Sequence, residues 1–379
     1  MVKRLKCSVS MNSFIEASKY YTSTGDRWKG EKMAKPIVKV GINGYGVIGK
    51  RCADAISLQD DMKLVGISDI ASDYRIKLAQ LKGYPIYCSL PEKEEEMRKA
   101  GIEVVGTLED MLKEVDVIID CTPKGIGAKN KALYDKHGVK SIFQGGESHE
   151  LTGLSFVAQC NYKEALGKDS LRVVSCNTTG ICRVIGSLHK KLGIKMARVM
   201  LARRACDPWE SHKGGVINTF YPEAHIPSHQ GPDAQTVIPD LPIITIAAKG
   251  PYNISHMHFA FVEFREKVDR ETVISVLDEA PRIIFVNAGD GIEALNSVLE
   301  ICRDLQRPRA DLWEVAVWKD ILALNEDCTE AYLIYQVHNE AIVIPENIDA
   351  IRALTELETD PMKSIEKTDK SLGIVKKLL

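Results

Sequence analysis

The chain has 379 residues, of which 45% are hydrophobic and 27% charged, and its 50 Lys and Arg nearly balance 52 Asp and Glu. This composition excludes disorder for most of the chain, and the length predicts two or more domains of roughly 150 residues each. The net charge of −2 gives no reason to expect nucleic acid or a membrane surface as a partner. No apolar run reaches the length of about 18 residues that a membrane-spanning helix needs.

The chain begins with a segment that differs from the rest. Its first 32 residues hold seven Lys or Arg, three acidic residues and a polar stretch at 22–25. For residues 1–34 this pattern favours a disordered extension over an ordered arm or a targeting peptide. The folded part is expected to start at about residue 35, where a β-branched run follows.

From residue 35 to 175, short apolar runs alternate with helix-length amphipathic stretches. This alternation is typical of a doubly wound parallel (Rossmann) sheet, and therefore of an α/β dinucleotide-binding domain. The expected strands are 37–42, 64–67, 104–105, 115–120, 141–143 and 173–174, and the expected helices or mixed turns are 47–59, 74–81, 90–100 and 125–137.

After residue 176 the pattern changes to one of a second, α+β domain. A helix at 178–192 precedes strand-like runs, and the alternation in 256–263 is typical of an antiparallel sheet. We therefore expect a catalytic domain over 176–340 with a mostly antiparallel sheet. A helix at 346–357, in a C-terminal segment 341–379, is expected to return to the first domain. The other strands are expected at 197–203, 243–247, 256–264, 282–286, 312–318 and 331–337.

A glycine-rich turn follows the first strand. Gly44, Gly46 and Gly49 complete a G-x-G-x-x-G motif between a strand and a helix. The first glycine permits the tight turn, the second lets a pyrophosphate approach the backbone, and the third lets helix and strand pack closely. The free N–H groups at the helix start then bind the phosphates.

Asp69 ends the second strand, 20 residues after Gly49. A carboxylate at this place accepts hydrogen bonds from the adenosine ribose hydroxyls and repels a 2′-phosphate, so the sequence favours NAD over NADP. Two alternatives stay open: Asp69 caps a turn, or Arg75 or Lys77 pairs with a phosphate.

The ten cysteines form no C-x-x-C pair, which argues against a zinc ribbon and indicates a reduced, cytoplasmic protein whose thiols mostly fill the core. Cys176 differs because it lies between a strand and a helix, in the sequence S-C-N-T-T-G. A helix N-terminus favours the thiolate and offers N–H donors to an oxyanion. We therefore expect Cys176 to have a lowered pKa and to act as a nucleophile.

Several motifs together resemble the archaeal-type (type II) phosphorylating glyceraldehyde-3-phosphate dehydrogenases, over about residues 35–370. They are G-I-N-G-Y-G at 41–46, D-C-T-P-K-G-I-G-A-K-N at 120–130, F-Q-G-G-E at 143–147, S-C-N-T-T-G at 175–180 and S-H-Q-G-P-D at 228–233. The resemblance implies NAD(P)-dependent, phosphate-requiring oxidation of D-glyceraldehyde 3-phosphate to 1,3-bisphosphoglycerate, and the reverse reaction, in a homotetramer.

The resemblance also assigns the reacting groups. Cys176 is the nucleophile, and His256 is the catalytic histidine, with His258 two residues on as the fallback assignment. The chemistry suits these residues, because a thiolate forms a thiohemiacetal and then a thioester, which phosphate cleaves. A histidine can take the hemiacetal proton or stabilise an oxyanion. No step needs a metal.

The resemblance, together with the motifs above, implies two sets of binding residues. The substrate set is Ser175, Cys176, Asn177, Thr178, Arg203, Gln230 and Gly231. In this set, the arginine, the hydroxyls and the 228–231 loop are expected to bind the phosphates. The cofactor set is Gly44, Gly46, Val47, Ile48, Gly49, Asp69, Gly146, Arg204 and Asn339. Gln230 stands where the related enzymes have His, Asn339 where they usually have Gln, and Asp69 where many have Lys and use NADP well.

Two other functions stay open on the sequence. One is another Cys-dependent enzyme such as aspartate-semialdehyde dehydrogenase, which the 228–233 loop and the Arg203-Arg204 pair disfavour. The other is a catalytically silent NAD-binding regulatory protein. Near-neutral charge and the lack of a basic-aromatic stripe argue against a nucleic-acid-binding version of it.

Overall fold

The computed structural model describes residues 37–213 and 216–379. The extension expected over residues 1–34 lies outside this part of the chain. All nine cysteines in the described part are free thiols.

The first of two sheets is parallel. Its first half consists of β1 (Val38–Asn43), α1 (Val47–Ser57), β2 (Met62–Asp69), α2 (Tyr74–Leu81), β3 (Ile86–Cys88), α3 (Glu94–Lys99), β4 (Val104–Thr107) and α4 (Leu108–Leu112). Its second half consists of β5 (Val117–Asp120), α5 (Gly127–Lys136), β6 (Lys140–Phe143), β7 (Ser155–Phe156), α6 (Ala158–Asn161) and β8 (Ser170–Val173). Central strands such as β5 are buried along their whole length, because helices cover both faces of such a sheet.

The order of these strands is β4-β3-β2-β1-β5-β6-β8-β7, with every described pair parallel. The chain therefore builds outward in one direction from β1 and in the other from β5. In open parallel sheets, ligands bind beyond the carboxyl ends of the strands at this reversal point. The glycine-rich turn after β1 lies there.

The second sheet is mixed and mostly antiparallel. It follows α7 (Cys176–Leu192) and comprises β9 (Ile194–Arg203), β10 (Tyr221–Pro222), α8 (Gln230–Gln235), β11 (Ile243–Lys249), β12 (His256–Phe264), α9 (Arg270–Glu279), β13 (Ile283–Val286), α10 (Leu295–Asp304), β14 (Val315–Trp318), β15 (Ala323–Leu324) and β16 (Glu330–Val337). The order is β10-β11-β9-β12-β16-β14-β13, with β15 paired to β16. Only β11 with β9 and β13 with β14 run parallel among the described pairs.

Two helices end the chain, α11 (Ile344–Leu354) and α12 (Pro361–Leu372). Every residue of α11 is buried, and the helix packs against α1, β6 and β8 of the first sheet. Its Glu346 carboxylate lies 2.5 Å from the Arg183 guanidinium and 3.2 Å from that of Arg282. The helix α11 therefore links α1, β6 and β8 of the first sheet to α7 and to the residue that precedes β13.

The predicted fold class is confirmed, since both the parallel sheet and the mostly antiparallel second sheet are present. The domain boundaries stay predictions. Six helices were not predicted from the sequence, namely the short α4, α6 and α8 and the longer α9, α10 and α12. No helix in the described part of the chain is both long and apolar enough to cross a membrane.

Candidate active site

The glycine-rich turn has the shape that a dinucleotide phosphate requires. Gly44 has a φ of +93°, and a Cβ there would lie 2.8 Å from the Cys121 backbone. A Cβ on Gly49 would lie 1.9 Å from the Gly44 carbonyl oxygen, so helix and turn touch at this point. Gly46, by contrast, has nothing within 4 Å of its Cβ position. The surface is therefore open where the N-terminus of α1 would receive a phosphate, and the turn fits a dinucleotide.

Asp69 organises the neighbouring turn as well as marking the end of β2. One of its oxygens accepts hydrogen bonds from the Ile70 and Ala71 backbone, and the other accepts one of 2.6 Å from the Tyr45 N–H. Both the ribose and the turn-capping interpretations are therefore compatible with its position. Its negative charge lies directly beside the glycine-rich turn.

Cys176 is the first residue of α7, two positions earlier than the predicted helix start at 178. Ser175 is the N-cap, and its hydroxyl accepts a hydrogen bond from the Thr178 N–H and contacts the Thr178 hydroxyl at 2.9 Å. The Thr178 hydroxyl donates in turn to Asp233, which is paired with Arg172. This chain of contacts fixes the helix start that carries the thiol.

His256 faces the thiol. Its Nε2 lies 3.5 Å from Cys176 Sγ, and its Nδ1 accepts a hydrogen bond of 3.1 Å from the Arg204 backbone N–H. Because Nδ1 uses its lone pair in this way, the neutral ring carries its proton on Nε2. His256 therefore presents a hydrogen-bond donor to the sulfur and to any oxygen beside it.

Burial makes this pair neutral at rest. It raises the pKa of the Cys176 thiol above its ordinary value, against the opposing charges of Arg204 and Arg203. Burial, together with the charge of Arg204, also holds the pKa of His256 well below its ordinary value. The expectation of a lowered thiol pKa is therefore wrong for this state, because desolvation outweighs the helix start and the arginines.

His258 lies behind the reacting pair rather than in it. Its ring is fully buried, and its Nε2 lies 2.8 Å from the Asn177 Oδ1. Burial lowers the pKa of His258 to about 3, so the ring is neutral and donates this hydrogen bond. The position of His258 suits the support of Asn177 and not proton exchange with Cys176.

A cavity of about 810 Å³ joins the cofactor and substrate residues. Its walls include Val47, Gly146 and Asn339 from the predicted cofactor set, and Ser175, Cys176 and Arg203 from the substrate set. The Nε atoms of Arg203 and Arg204 are buried without a partner among the described residues. Unpaired guanidinium donors beside a cavity are suited to an anionic ligand.

Similarity to known proteins agrees with this geometry. Residues 175–320 match a family described as glyceraldehyde 3-phosphate dehydrogenase, C-terminal domain, and residues 38–158 match the dihydrodipicolinate reductase N-terminus. A glyceraldehyde-3-phosphate dehydrogenase of Methanococcoides burtonii is 50% identical over 338 residues, covering 89% of this chain and 99% of the relative. Glyceraldehyde-3-phosphate dehydrogenase 2 of Methanosarcina acetivorans is 49% identical over 343 residues, covering 90% and 100%.

The chain belongs to the archaeal glyceraldehyde-3-phosphate dehydrogenase family. The resemblance inferred from the motifs is thereby confirmed. A further relative in that family, from Methanothermus fervidus, is 46% identical over 337 residues, covering 89% of this chain and 99% of its own length.

Not all predicted contacts of this glyceraldehyde-3-phosphate dehydrogenase family member line the cavity. The segment expected to be a loop begins α8 at Gln230, and the Gln230 side chain is buried, with its Nε2 3.2 Å from the His229 Nε2. The Gly231 N–H donates to the Thr245 hydroxyl. The loop expectation is wrong at this point, because the first turn of a helix accommodates Gly231 and Pro232. His229 and Asp233 line the cavity instead.

Asn177 and Thr178, also in the predicted substrate set, are buried behind the cavity wall, where they contact His258 and Asp233. Sequence reasoning missed Arg172 and Lys124, which line the cavity. Lys124 could have been found, because it belongs to the D-C-T-P-K-G motif. Arg172 gave no local signal, since its partner Asp233 is 61 residues away.

Proposed function

We propose that this protein catalyses the NAD(P)-dependent, phosphate-requiring oxidation of D-glyceraldehyde 3-phosphate to 1,3-bisphosphoglycerate, and the reverse reaction. The observation that carries the proposal is the placement of Cys176 at the start of α7, with Sγ 3.5 Å from His256 Nε2. Cys176 lines the same cavity as Val47 and Ile48, which follow the nucleotide turn. Family membership supports the substrate and the use of NAD(P).

The first chemical step is nucleophilic addition. The Cys176 thiol loses its proton to solvent, and the thiolate forms a C–S bond to the aldehyde carbon, which leaves a thiohemiacetal alkoxide. The Nε2–H of His256 and the free N–H groups at the start of α7 are the donors for this oxygen. In its resting tautomer His256 therefore acts as a donor rather than as a base.

The bound nicotinamide supplies a hydride acceptor. Loss of hydride from the alkoxide carbon restores a C=O bond and leaves a thioester on Cys176. Inorganic phosphate then adds to this carbonyl, and breaking the C–S bond returns the electron pair to sulfur. His256 and the helix start stabilise the oxyanion a second time, and 1,3-bisphosphoglycerate is released.

The anions of the reaction need cationic and N–H donors near Cys176. We propose that Arg203 contacts a phosphate, because its Nε has no partner among the described residues and it lines the cavity. Glu223 already pairs with its Nη1 at 3.1 Å. Ser175 offers a hydroxyl on the same wall. The predicted direct contacts of Gln230 and Gly231 have less support, since neither lines the cavity.

We also propose that NAD is preferred to NADP. Asp69 places a carboxylate beside the turn where a 2′-phosphate would lie, and the Arg75 guanidinium is engaged by Asp73 at 2.7 Å. Among the described residues, no Arg or Lys forms an ion pair with Asp69, so its negative charge is left to repel a 2′-phosphate. NADP is expected to bind more weakly rather than not at all.

A homotetramer is the proposed assembly, in the cytoplasm. One face of the second sheet carries exposed apolar side chains in two cross-strand rows. One row consists of Ile246, Met200 and the half-buried Phe259. In the other, Ile244 and Phe261 flank Arg198. The helix α7 packs on the opposite face. An exposed apolar sheet face of this kind suits a second copy of the chain.

A phosphate-dependence assay tests the proposed activity. NAD reduction is followed with glyceraldehyde 3-phosphate at increasing phosphate concentrations, and aspartate semialdehyde serves as the competing substrate. We expect turnover that requires phosphate and disappears in Cys176→Ser. Phosphate-independent turnover, or a preference for aspartate semialdehyde, would contradict the proposal.

A further inference from the structure

Asp207 joins two residues of the predicted cofactor set. We propose that it is a positioning residue, which orients the Asn339 amide and the Arg204 guanidinium toward the nicotinamide end of the bound cofactor. This inference rests on the proposed function and adds to it a residue that the motifs do not assign. Asp207 itself is not expected to contact the reacting atoms.

The contacts are direct. One oxygen of Asp207, Oδ1, accepts hydrogen bonds from the Arg204 Nη2 at 2.5 Å and from the Asn339 Nδ2 at 3.1 Å. Asn339 lies 132 residues further along the chain, so Asp207 links the end of β9 to the segment after β16. The three side chains line the cavity that also contains Cys176.

The carboxylate decides which way the Asn339 amide points. An ionised carboxylate only accepts hydrogen bonds, so the amide must turn its NH₂ group toward Asp207. The Asn339 Oδ1 is then left facing away, and no side chain or backbone group in the described part of the chain donates to it. An oxygen held in this way recognises an N–H donor, such as that of a primary carboxamide on a pyridine ring.

Asp207 also restrains the backbone that touches the catalytic histidine. Arg204, held by its side chain, donates its backbone N–H to His256 Nδ1. The negative charge of Asp207 lies near enough to Cys176 to oppose the effect of Arg204 on the thiol pKa. Asp207 is therefore coupled to the dyad, but through Arg204.

Equilibrium binding of cofactor analogues separates this role from a purely structural one. NAD and its 3-acetylpyridine analogue, which replaces the carboxamide NH₂ with a methyl group, are titrated in the absence of substrate, with tryptophan fluorescence or calorimetry as the readout. One neutral hydrogen bond corresponds to a preference of the wild type for NAD of about twofold to tenfold. We expect Asp207→Ala and Asn339→Ala to reduce this ratio to near one, and the double variant to reduce it no further.

Three more variants control the experiment. Asp207→Asn keeps one oxygen that can accept from both Arg204 and Asn339, so it should keep most of the preference, whereas Asp207→Leu, of similar size but without an acceptor, should lose it. Asp327→Ala removes an exposed carboxylate and should keep the wild-type ratio. Thermal melting identifies any variant that does not fold, and Asp207→Leu carries the test if Asp207→Ala does not fold.

The results distinguish the two proposals. An unchanged NAD preference in Asp207→Ala or Asp207→Leu, or an equal loss of affinity for both cofactors, would overturn the role of Asp207. That outcome leaves phosphate-dependent turnover of the wild type intact. Absence of that turnover would instead contradict the proposed function, whatever the binding ratios are.

Discussion

At the scale of single residues, two histidines on the same strand have different surroundings. His256 and His258 point to the same side of β12, as residues two apart on a strand must. Only His256 reaches Cys176, while His258 is held against Asn177. The alternation of β12 could predict that both face the core, but not which one meets the thiol, because that depends on where α7 starts.

Asp69 carries the expected preference for NAD. Replacing it with Lys removes the charge that repels a 2′-phosphate and supplies one that attracts it. We expect Asp69→Lys to raise kcat/KM for NADP and lower it for NAD, which shifts the ratio by about tenfold or more, a change of at least about 1.4 kcal/mol. Steady-state kinetics with both cofactors measures the ratio.

The control for this substitution is Asp69→Asn, which removes the charge and keeps one acceptor oxygen, for the Ile70 and Ala71 N–H groups, but cannot also accept from the Tyr45 N–H. It should weaken discrimination without creating a preference for NADP. A wild-type enzyme that already prefers NADP would show that the charge of Asp69 does not govern the choice.

Buried neutral His258 should make stability depend on pH. The pKa of His258 is about 3 in the folded state, compared with an ordinary value of 6.5. Below pH 6.5, His258 is therefore protonated in the unfolded chain but stays neutral in the folded protein. Stability is therefore lost as the pH falls, by about 1.4 kcal/mol per pH unit from this site. The stability advantage of the wild type over His258→Gln should shrink by about 1 kcal/mol between pH 6.5 and 5.5, where the unfolded histidine is only partly protonated, and at close to the full slope below that.

Urea unfolding at several pH values checks this prediction. His225→Gln changes an exposed histidine and should show a difference from the wild type that does not vary with pH in this way. A constant difference between wild type and His258→Gln would mean that His258 titrates normally in the folded protein.

At the scale of elements, strong local signals predicted the structure well and weak ones did not. β1, the glycine-rich turn and α1 could be predicted, because the glycines of the turn are required at fixed positions between a strand and a helix. The helix α10 was not predicted, although Leu295, Val298, Leu299 and Cys302 have helical spacing. The short helix α8 could not be predicted, since Gly231 and Pro232 indicate a turn unless tertiary contacts are known.

The glycines of the nucleotide turn differ in what they tolerate. In Gly49→Ala the new Cβ would meet the Gly44 carbonyl oxygen at 1.9 Å, so the turn and α1 must separate. We expect a loss of about 2–4 kcal/mol in the free energy of unfolding. Gly46→Ala meets no neighbour and has an ordinary φ of −79°, so its stability should stay within about 0.5 kcal/mol of the wild type.

Cofactor titration completes this comparison. Gly46→Ala should bind NAD more weakly despite its normal stability, because its methyl group occupies the open surface that a pyrophosphate approaches. Wild-type affinity in Gly46→Ala would contradict the placement of the phosphates, and wild-type stability in Gly49→Ala would contradict the close packing of turn and helix.

At the scale of the whole molecule, the two sheets use their faces differently. Helices cover the first sheet, and its strands were predictable because burial on both sides produces continuous apolar runs. The second sheet packs α7 on one face and leaves apolar residues exposed on the other. The alternation in β12 indicated a sheet with two different faces. No pattern in the sequence shows that the described part of the chain leaves one face of this sheet uncovered. Nor could the sequence predict that Arg172 and Asp233 meet.

The exposed face should be where copies of the chain associate. Met200 and Phe261 are 48% and 43% exposed, and a double Met200→Glu, Phe261→Glu variant places charge in the centre of the face. We expect light scattering to show a tetramer for the wild type and a smaller species for the variant. Leu81→Glu, at an 82% exposed position outside the second sheet, should leave the tetramer intact. A monomeric wild type would contradict the assembly.

The central claim is that Cys176 carries the substrate as a thioester which phosphate releases. Mass spectrometry of the protein quenched after mixing with NAD and glyceraldehyde 3-phosphate in phosphate-free buffer tests it most directly. The account predicts a 3-phosphoglyceroyl adduct on Cys176 that disappears when phosphate is added. Turnover without an adduct on Cys176, or an adduct that phosphate does not remove, would contradict it.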